Sequence, residues 1–209
     1  MWALSSPQVL HSAVLSSFQP NPVQLRKRIL WRTDHLGDSC YLLVLSEVQP
    51  DFTHISKQFG DPLADWAWET KKYSTLLDRL KTGQVWRFRL RANPVHSSSR
   101  EKDESTGRGK IFAHVTTQQQ KQWLMDRSQA HGFSLAEDTF DIVNSEYKKF
   151  YKSQENNREV ILRTADYEGT LTILNVESFT DALLSGIGRA KAYGCGLLTV
   201  AGYQGGGNG

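Results

Sequence analysis

A glycine-rich segment near the C-terminus has the composition of an anion-binding loop. Glycine allows a backbone φ above zero and leaves no side chain between its N–H group and a ligand. Successive exposed N–H groups beside cations form a concavity that suits a phosphate. The segment contains two cations and four glycines: Arg189, Lys191, Gly186, Gly188, Gly194 and Gly196. The alternative interpretation is a glycine-rich turn from a helix into a strand, packed against a neighbouring sheet.

Two nucleotide-binding motifs do not fit this segment. The dinucleotide fingerprint requires a third glycine at the position of Lys191. The Walker loop requires a lysine after its last glycine, whereas Cys195 follows Gly194. The sequence therefore predicts that a bound phosphate belongs to a polymer backbone.

A second set of candidate residues lies on an arginine-rich strand. Arg87, Arg89 and Arg91 recur at every second position, and the residues between them are aromatic or apolar. Because successive side chains of a strand point to opposite faces, the three guanidiniums are expected on one face. Planar guanidinium groups match phosphate oxygens, so we expect them to bind an RNA or DNA backbone. Four further cations extend this charge: Arg100, Lys102, Arg108 and Lys110. In the alternative, the arginines pair with acidic neighbours on a solvated strand.

His11 is the candidate for acid–base chemistry. It lies one turn into the first helix, on the margin of the apolar stripe that contains Leu10 and Val14. An imidazole exchanges a proton near neutral pH without a metal ion, and RNA cleavage requires such an exchange. The position also fits a partly buried histidine whose hydrogen bonds are satisfied.

The sequence indicates neither a metal site nor a cofactor. The remaining histidines do not have the spacing of metal ligands: His35, His54, His96, His114 and His131. There is no Ser/His/Asp or Cys/His signature, and no acidic pair with two-metal spacing. A Mg²⁺-dependent nuclease is therefore not expected.

The elements that carry these residues are predicted from periodicity and from start and stop signals. Ser6 and Pro7 begin a helix that runs to about Phe18. In the first half we expect strands at 28–33, 40–46 and 84–95, helices at 52–57 and 73–81, and a mobile loop at 96–110. In the second half we expect helices at 116–130 and 177–185, and strands at 139–150, 158–166, 169–174 and 197–201.

This order of elements predicts an α+β fold. A helix–strand–strand–helix–strand pattern occurs roughly twice, which favours two tandem ferredoxin-like domains. They are expected at 1–110 and 111–203, with a flexible tail at 204–209. Since only six residues precede the first helix, the first domain is expected to lack its opening strand.

Composition limits the environment of the protein. The chain has 209 residues, a formal net charge of +3 and two cysteines, Cys40 and Cys195, which fits a reducing compartment. No apolar run approaches the roughly 20 residues of a membrane span. We expect a soluble cytoplasmic protein with no membrane partner.

Four stretches together resemble the CasE family, the CRISPR repeat endoribonucleases of type I-E systems. They are 8–11 on the first helix, 87–94 on the arginine-rich strand, 167–171, and the glycine segment with its exit at 194–198. The resemblance implies two tandem ferredoxin-like domains of the RAMP type. Position by position, His11 matches the family's catalytic histidine, and 186–196 matches the loop that lies against the RNA.

The resemblance also implies a function. Family members bind the hairpin of a CRISPR repeat and cleave it at the 3′ base of its stem without a metal ion. The products carry a 5′-hydroxyl and a 2′,3′-cyclic phosphate or 3′-phosphate. Members commonly keep the processed guide RNA and stay in the Cascade complex with its other subunits, including a backbone subunit.

Two features differ from the family pattern. Gln8 stands where members often have a tyrosine, and a basic residue often follows the histidine on this helix, where Ser12 and Ser16 stand. A non-catalytic subunit that binds the RNA hairpin is therefore the alternative function, and an RNA-binding module outside CRISPR systems is a third. The catalytic interpretation requires His11 and the arginine-rich strand to face one ribose–phosphate junction.

Overall fold

The computed structural model describes residues 6–18, 29–60, 68–102, 107–151 and 159–203. The expected missing strand before the first helix and the expected tail at 204–209 lie outside these residues. The helices described are α1 (Pro7–Ser16), α2 (Thr53–Phe59), α3 (Ser74–Leu77), α4 (Thr117–Ser128) and α5 (Val176–Ser185). The strands described are β1 (Leu30–Leu36), β2 (Ser39–Leu45), β3 (Val85–Ala92), β4 (Val95–Lys102), β5 (Gly109–Ala113), β6 (Phe133–Ser134), β7 (Phe140–Tyr151), β8 (Glu159–Ile173) and β9 (Leu198–Gly202).

The arginine-rich strand β3 lies at the centre of the main antiparallel sheet. It pairs with β8 on one side and β9 on the other, and β6 and β7 both pair with β8. Alternate residues of β3 are buried with Trp123 of α4 and with Phe179 and Leu183 of α5, namely Trp86, Phe88, Leu90 and Ala92. The period-two alternation thus gives β3 one buried face, as the sequence predicts.

Helix α1 packs against the hairpin of β1 and β2. Its turn contains Gly37, whose φ of 59° favours glycine. Trp31 on β1 forms a second core cluster with Leu10 and Val14 of α1 and with Phe18 just after it. The orientation of α1 therefore depends on where this hairpin lies.

A buried arginine joins the hairpin to the main sheet. The Arg32 side chain is 2% exposed and forms a bidentate pair with Asp34, Nε to Oδ1 at 2.7 Å and Nη2 to Oδ2 at 2.8 Å. Its other N–H groups donate to the backbone oxygens of Arg89 and Leu197, at 2.9 and 2.8 Å, and to Thr199 Oγ1 at 2.8 Å. One guanidinium therefore ties β1 to β3 and to the start of β9.

The charge of Asp34 depends on its arginine neighbours. Burial by itself raises the pKa of this carboxyl, but hydrogen bonds and charge from Arg32, with the charges of Arg89 and Arg91, lower it overall below 3.8. Asp34 is therefore ionised at neutral pH, and the buried pair is a charged one.

Three expectations about the elements are wrong. The segment 96–110 is not a mobile loop, because its described part belongs to the antiparallel pair β4–β5. Its serines and charged residues are mostly exposed, so no apolar alternation indicates a strand. The strands expected at 158–166 and 169–174 are the single strand β8, and only the short α3 forms within 73–81.

The main sheet crosses the expected domain boundary. It contains β3 from the first expected domain, together with β8 and β9 from the second. The boundary at residue 110 stays a prediction.

Two findings concern membrane-spanning helices and the cysteine thiols. In the described part of the chain, no helix is long and apolar enough to cross a membrane. Both cysteines are free thiols, with Cys40 exposed and Cys195 buried. Burial raises the pKa of Cys195 to about 12, so this thiol is protonated at neutral pH.

Replacement of Arg32 is expected to destabilise the protein strongly. Arg32→Ala leaves the buried Asp34 carboxylate without its partner, which lowers the free energy of unfolding by about 3–5 kcal/mol. Urea denaturation followed by circular dichroism measures the loss. Arg32→Lys keeps the charge without the planar fork, so we expect a smaller loss.

The matched control is Arg79→Ala, at an exposed arginine, with an expected change within about 0.5 kcal/mol. A loss of less than about 1 kcal/mol for Arg32→Ala, the range of exposed ion pairs, would contradict the tie between hairpin and sheet.

Candidate active site and nucleic-acid interface

His11 lies on the margin of α1, as the sequence predicts. Pro7 occupies the first turn of the helix, and Leu10 and Val14 face the core cluster around Trp31. His11 is half-buried beside this apolar stripe. Its ring meets the Tyr193 ring edge-on, with centroids 6.1 Å apart and an interplanar angle of 64°.

Tyr193 was not predicted as a site residue. It ends a 3₁₀ turn, Lys191–Tyr193, which lies between the left-handed residues Ala190 and Gly194. Its ring also contacts Phe150 of β7, with centroids 4.8 Å apart. Contacts between residues so far apart in sequence leave no local pattern, so no sequence signal could have identified Tyr193.

Lys148 is a second residue near this cluster that the sequence did not indicate. It lies two positions before Phe150 on β7, and therefore on the same face of the strand. Its Nζ is 3.6 Å from Glu146 Oε2, and its charge acts on the buried Cys195 thiol at the exit of the glycine segment. An ammonium group thus lies on the side of β7 that faces Tyr193.

The glycine segment packs against the β1 hairpin and the core. Gly186, Gly194 and Gly196 are buried. A Cβ on Gly194 would lie 2.9 Å from the Trp31 ring, and one on Gly186 would lie 2.8 Å from the Gly196 oxygen. A Cβ on Gly188 would lie 3.0 Å from the Trp123 ring. These glycines are required by close packing, as in the alternative interpretation from the sequence.

The expected cradle of open N–H groups is only partly present. The N–H of Gly186 donates to Ala182 at 2.9 Å, and that of Gly196 donates to the Arg91 oxygen at 2.7 Å. Since both donors are used internally, neither is available to a phosphate. Arg189 is exposed, whereas Lys191 is half-buried and its Nζ donates to the Ser185 oxygen at 2.7 Å.

The three arginines of β3 share one face, but their surroundings differ. The Arg91 side chain is 11% exposed, and it donates to both oxygens of Asp166 at 2.6 and 2.7 Å. Arg89 is 25% exposed and pairs with Glu168 at 2.8 Å. Arg87 is exposed. Arg91 and Arg89 therefore pair with acids that lie opposite them on β8, as in the alternative interpretation, and binding of RNA by the three arginines stays a prediction.

The exposed end of this arginine row lines a groove. The groove has a volume of about 500 Å³ and contains Arg87, Arg89 and Tyr203, with parts of β8 and β9. His11 is not among its lining residues. His11 lies at the glycine segment, and Arg87 and Arg89 lie at this groove, so the expectation that they face one ribose–phosphate junction stays a prediction.

The remaining predicted cations lie together on the β4–β5 hairpin. Arg100 and Lys102 are exposed on β4, and Arg108 and Lys110 are exposed at the start of β5. Lys110 Nζ lies 3.6 Å from Glu101 and 5.5 Å from the centre of the Phe112 ring. The hairpin thus presents a compact group of cations to solvent.

Two histidines meet on the same hairpin. The His96 and His114 rings have centroids 4.9 Å apart. Burial, then the charges of His96 and Arg127, lower the pKa of His114 below 6.5. In the described residues, no group of three His, Cys, Asp or Glu side chains could hold a metal ion.

The sequence of the chain matches one known family over nearly its whole length. Residues 1–202 match the family described as CRISPR associated protein. The chain belongs to this family. It is 26% identical to the CRISPR-associated endoribonuclease Cse3 of Thermus thermophilus, over 95% of this chain and 91% of that protein. It is 29% identical to the CRISPR system Cascade subunit CasE of Escherichia coli, over 92% and 90%. The resemblance predicted from the sequence is confirmed.

Solved structures resemble this CRISPR-associated protein in fold. The endoribonuclease Cse3 bound to a 19-nucleotide RNA gives a TM-score of 0.71 at 25% identity, covering 96% of this chain and 92% of that one. The Thermus thermophilus Cse3 bound to an RNA representing a pre-cleavage complex gives 0.71 at 26% identity, covering 96% and 91%. The predicted α+β class with tandem ferredoxin-like domains is confirmed.

The contact between Gly194 and Trp31 gives a prediction about stability. Gly194→Ala forces a side chain into left-handed backbone, which costs about 1–2 kcal/mol, and against the Trp31 ring, which costs about 1–3 kcal/mol more. Thermal and urea denaturation measure the total.

Gly83→Ala isolates the backbone contribution, since Gly83 has a φ of +84° and a Cβ there would meet nothing within 4 Å. Equal losses for the two variants would contradict the close packing of the glycine segment on β1.

Proposed function

We propose that this protein is an endoribonuclease that cleaves the repeat hairpins of a CRISPR precursor RNA. It then stays on the 3′ hairpin of the mature guide RNA, as a subunit of the Cascade complex. The observation that carries the proposal is the imidazole of His11, half-buried and in contact with Tyr193 beside the glycine segment. The relatives named endoribonuclease and Cascade subunit align with nearly the whole chain, which supports both parts of the proposal.

The reaction needs proton transfer and no metal ion. The 2′-hydroxyl attacks the adjacent phosphorus, a base takes the hydroxyl proton, and an acid protonates the departing 5′-oxygen. His11 acts as the principal acid or base, because its imidazole exchanges a proton near neutral pH. The products are a 5′-hydroxyl and a 2′,3′-cyclic phosphate or 3′-phosphate.

Positive charge at the cleaved phosphate comes from the elements around Tyr193. Arg189 and Lys191 belong to the same segment as Tyr193, and Lys148 lies on the strand face that contacts it. Fixed cations stabilise the extra negative charge of the transition state. This assignment replaces Arg91, whose guanidinium is held by Asp166.

The RNA backbone is bound by cations of the β4–β5 hairpin and of the groove on the main sheet. Arg100, Lys102, Arg108 and Lys110 lie on one hairpin, and Arg87 and Arg89 lie at the groove. Arg91, Gly186, Gly188, Gly194 and Gly196 shape the site by packing rather than by direct contact with RNA. The partners are the guide RNA and the other Cascade subunits, including a backbone subunit, in the cytoplasm.

Replacement of His11 is expected to abolish cleavage while hairpin binding survives. His11→Ala removes the acid or base, which lowers the cleavage rate about 10²–10⁴-fold. Single-turnover cleavage of the repeat hairpin measures the rate, and fluorescence anisotropy measures its affinity. His35→Ala, at an exposed histidine near the end of β1, is the matched control. Cleavage at the wild-type rate by His11→Ala would remove His11 from the mechanism.

Chelation is expected to leave the reaction unchanged. Since the nucleophile is the 2′-hydroxyl of the RNA and His11 transfers a proton as acid or base, an excess of EDTA does not lower the single-turnover rate. Loss of cleavage in EDTA, restored by Mg²⁺ or Mn²⁺, would show that the reaction depends on a metal ion.

A second candidate function is a non-catalytic subunit that binds the hairpin. It is favoured by Gln8, which stands where the family often has a tyrosine. Long incubation of the purified protein with its repeat RNA separates the two. Cut RNA supports the endoribonuclease, whereas tightly bound but intact RNA supports the binding subunit.

A further inference from the structure

The polar face of the main sheet consists of ordered rows across three strands. Each row takes one residue from β8, β3 and β9 in turn. The two rows at its more open end are Thr170–Arg87–Ala201 and Glu168–Arg89–Thr199. The opposite face of the same strands is buried against α4 and α5. These rows are therefore positioned by a rigid core behind them.

The β1–β2 hairpin reaches this face at the other end. Arg91 donates to the Thr33 oxygen of β1 at 3.2 Å, and Arg89 Nε lies 3.8 Å from Asp34 Oδ1. The exposure of the arginine side chains rises from Arg91 to Arg89 to Arg87, in the direction that leads away from the β1–β2 hairpin. The row of Arg87 therefore opens into the groove of about 500 Å³.

An aromatic ring lies at the open end of this groove. Tyr203 directly follows β9, and its side chain is on the surface, with the residue 45% exposed. The guanidinium carbon of Arg87 lies 5.9 Å from the centre of its ring, a cation–π distance. The groove thus combines an accessible aromatic face with a neighbouring cation.

We propose that this groove binds a nucleotide of a single-stranded segment that flanks the repeat hairpin. The base stacks on the Tyr203 ring, and the phosphate pairs with Arg87. This inference rests on the proposed function, since it adds a contact for an RNA that the protein already binds.

The chemistry of the groove favours single-stranded RNA over a paired stem. Stacking on an aromatic side chain needs an unstacked base, which single strands supply and helical stems do not. Glu168 does not repel the phosphate strongly, because its carboxylate is paired with Arg89 at 2.8 Å.

The experiment compares a bare repeat hairpin with hairpins that carry a 5′ or a 3′ single-stranded extension. Each RNA has a 2′-deoxy sugar at the cleavage site, so that the protein does not remove the 3′ extension during the measurement. Fluorescence anisotropy gives, for each protein variant, the ratio of the affinities for extended and bare RNA. Loss of one stacked base corresponds to about 5- to 150-fold in affinity, so Tyr203→Ala is expected to reduce the ratio by this factor, to near one. Tyr203→Phe keeps the ring and is expected to keep the ratio.

Arg87→Ala is expected to reduce the ratio and to weaken its dependence on salt, because a phosphate contact is lost. Arg79→Ala, another exposed arginine, is the charge-matched control. A wild-type ratio of one, or a ratio that Tyr203→Ala leaves unchanged, would overturn the proposal. Failure of the wild-type protein to bind the bare hairpin would instead count against the proposed function.

Photo-crosslinking gives an answer that does not depend on variants. With 4-thiouridine placed in the extension, mass spectrometry is expected to find the crosslink on the peptide that contains Tyr203 or on β3. A crosslink confined to the β4–β5 hairpin would overturn the proposal. A second result would also overturn it: the Tyr203→Ala protein binds the extended RNA normally but fails to assemble with the other subunits. The groove would then bind protein rather than RNA.

Discussion

The position of the β1–β2 hairpin on the main sheet depends on the hydrogen bonds of the Arg32 guanidinium. All of its hydrogen-bonding directions are used, by the Asp34 carboxylate on β1, by two backbone oxygens, and by the Thr199 hydroxyl. A buried charge is tolerated only when its donors are satisfied in this way. Because the preceding residue, Trp31, packs on α1, the strand that Arg32 ties to the sheet also positions the helix of His11.

The arginines of β3 show how one sequence pattern leads to three different environments. Their spacing places Arg87, Arg89 and Arg91 on one face, as the period of a strand requires. What lies over each arginine is decided elsewhere, by the β1–β2 hairpin and by the acids of β8. Asp166 lies directly opposite Arg91 and Glu168 directly opposite Arg89, whereas Thr170 lies opposite Arg87. Only Arg87 therefore has no acid beside it across β8, and it is the most exposed of the three.

Local signals predicted the elements well where one face of the element is buried. Thr116 and Gln119 form a capping box at the start of α4, and Gly132 adopts a φ of 76° just after the following turn, so the sequence placed both ends closely. The margin position of His11 followed from helical periodicity in the same way. The β4–β5 hairpin was missed because its polar residues face solvent on both sides and give no alternation.

Contacts across the fold could not be predicted from one sequence. The pairing of Arg32 with Asp34 is local, but its links to β3 and β9 cross 57 to 167 positions. The contacts of Tyr193 with His11 and Phe150 likewise join distant segments. The composition of the glycine segment predicted that its glycines contact a bound phosphate. In the structure, three of them let the backbone pass close to Leu30, Trp31 and Trp123. Phosphate cradles and close packing both demand glycine, so residue type alone does not separate them.

His11 is not among the residues that line the arginine groove, so the proposed enzyme divides proton transfer and RNA binding between two places. Proton transfer tolerates errors of only a fraction of an ångström, so it is suited to the side of β1 where α1, the glycine segment and β7 pack together. Stacking and charge contacts tolerate small displacements, so they are suited to an open sheet face. The two places are joined by one short path: Gly196 donates to the Arg91 oxygen, and Arg91 is held by Asp166. A shift of β3 along its own axis would therefore disturb the glycine segment, and with it Tyr193 and His11. On this argument the buried Arg91 contributes to cleavage by holding the glycine segment in place, and not by a contact of its own charge with the RNA.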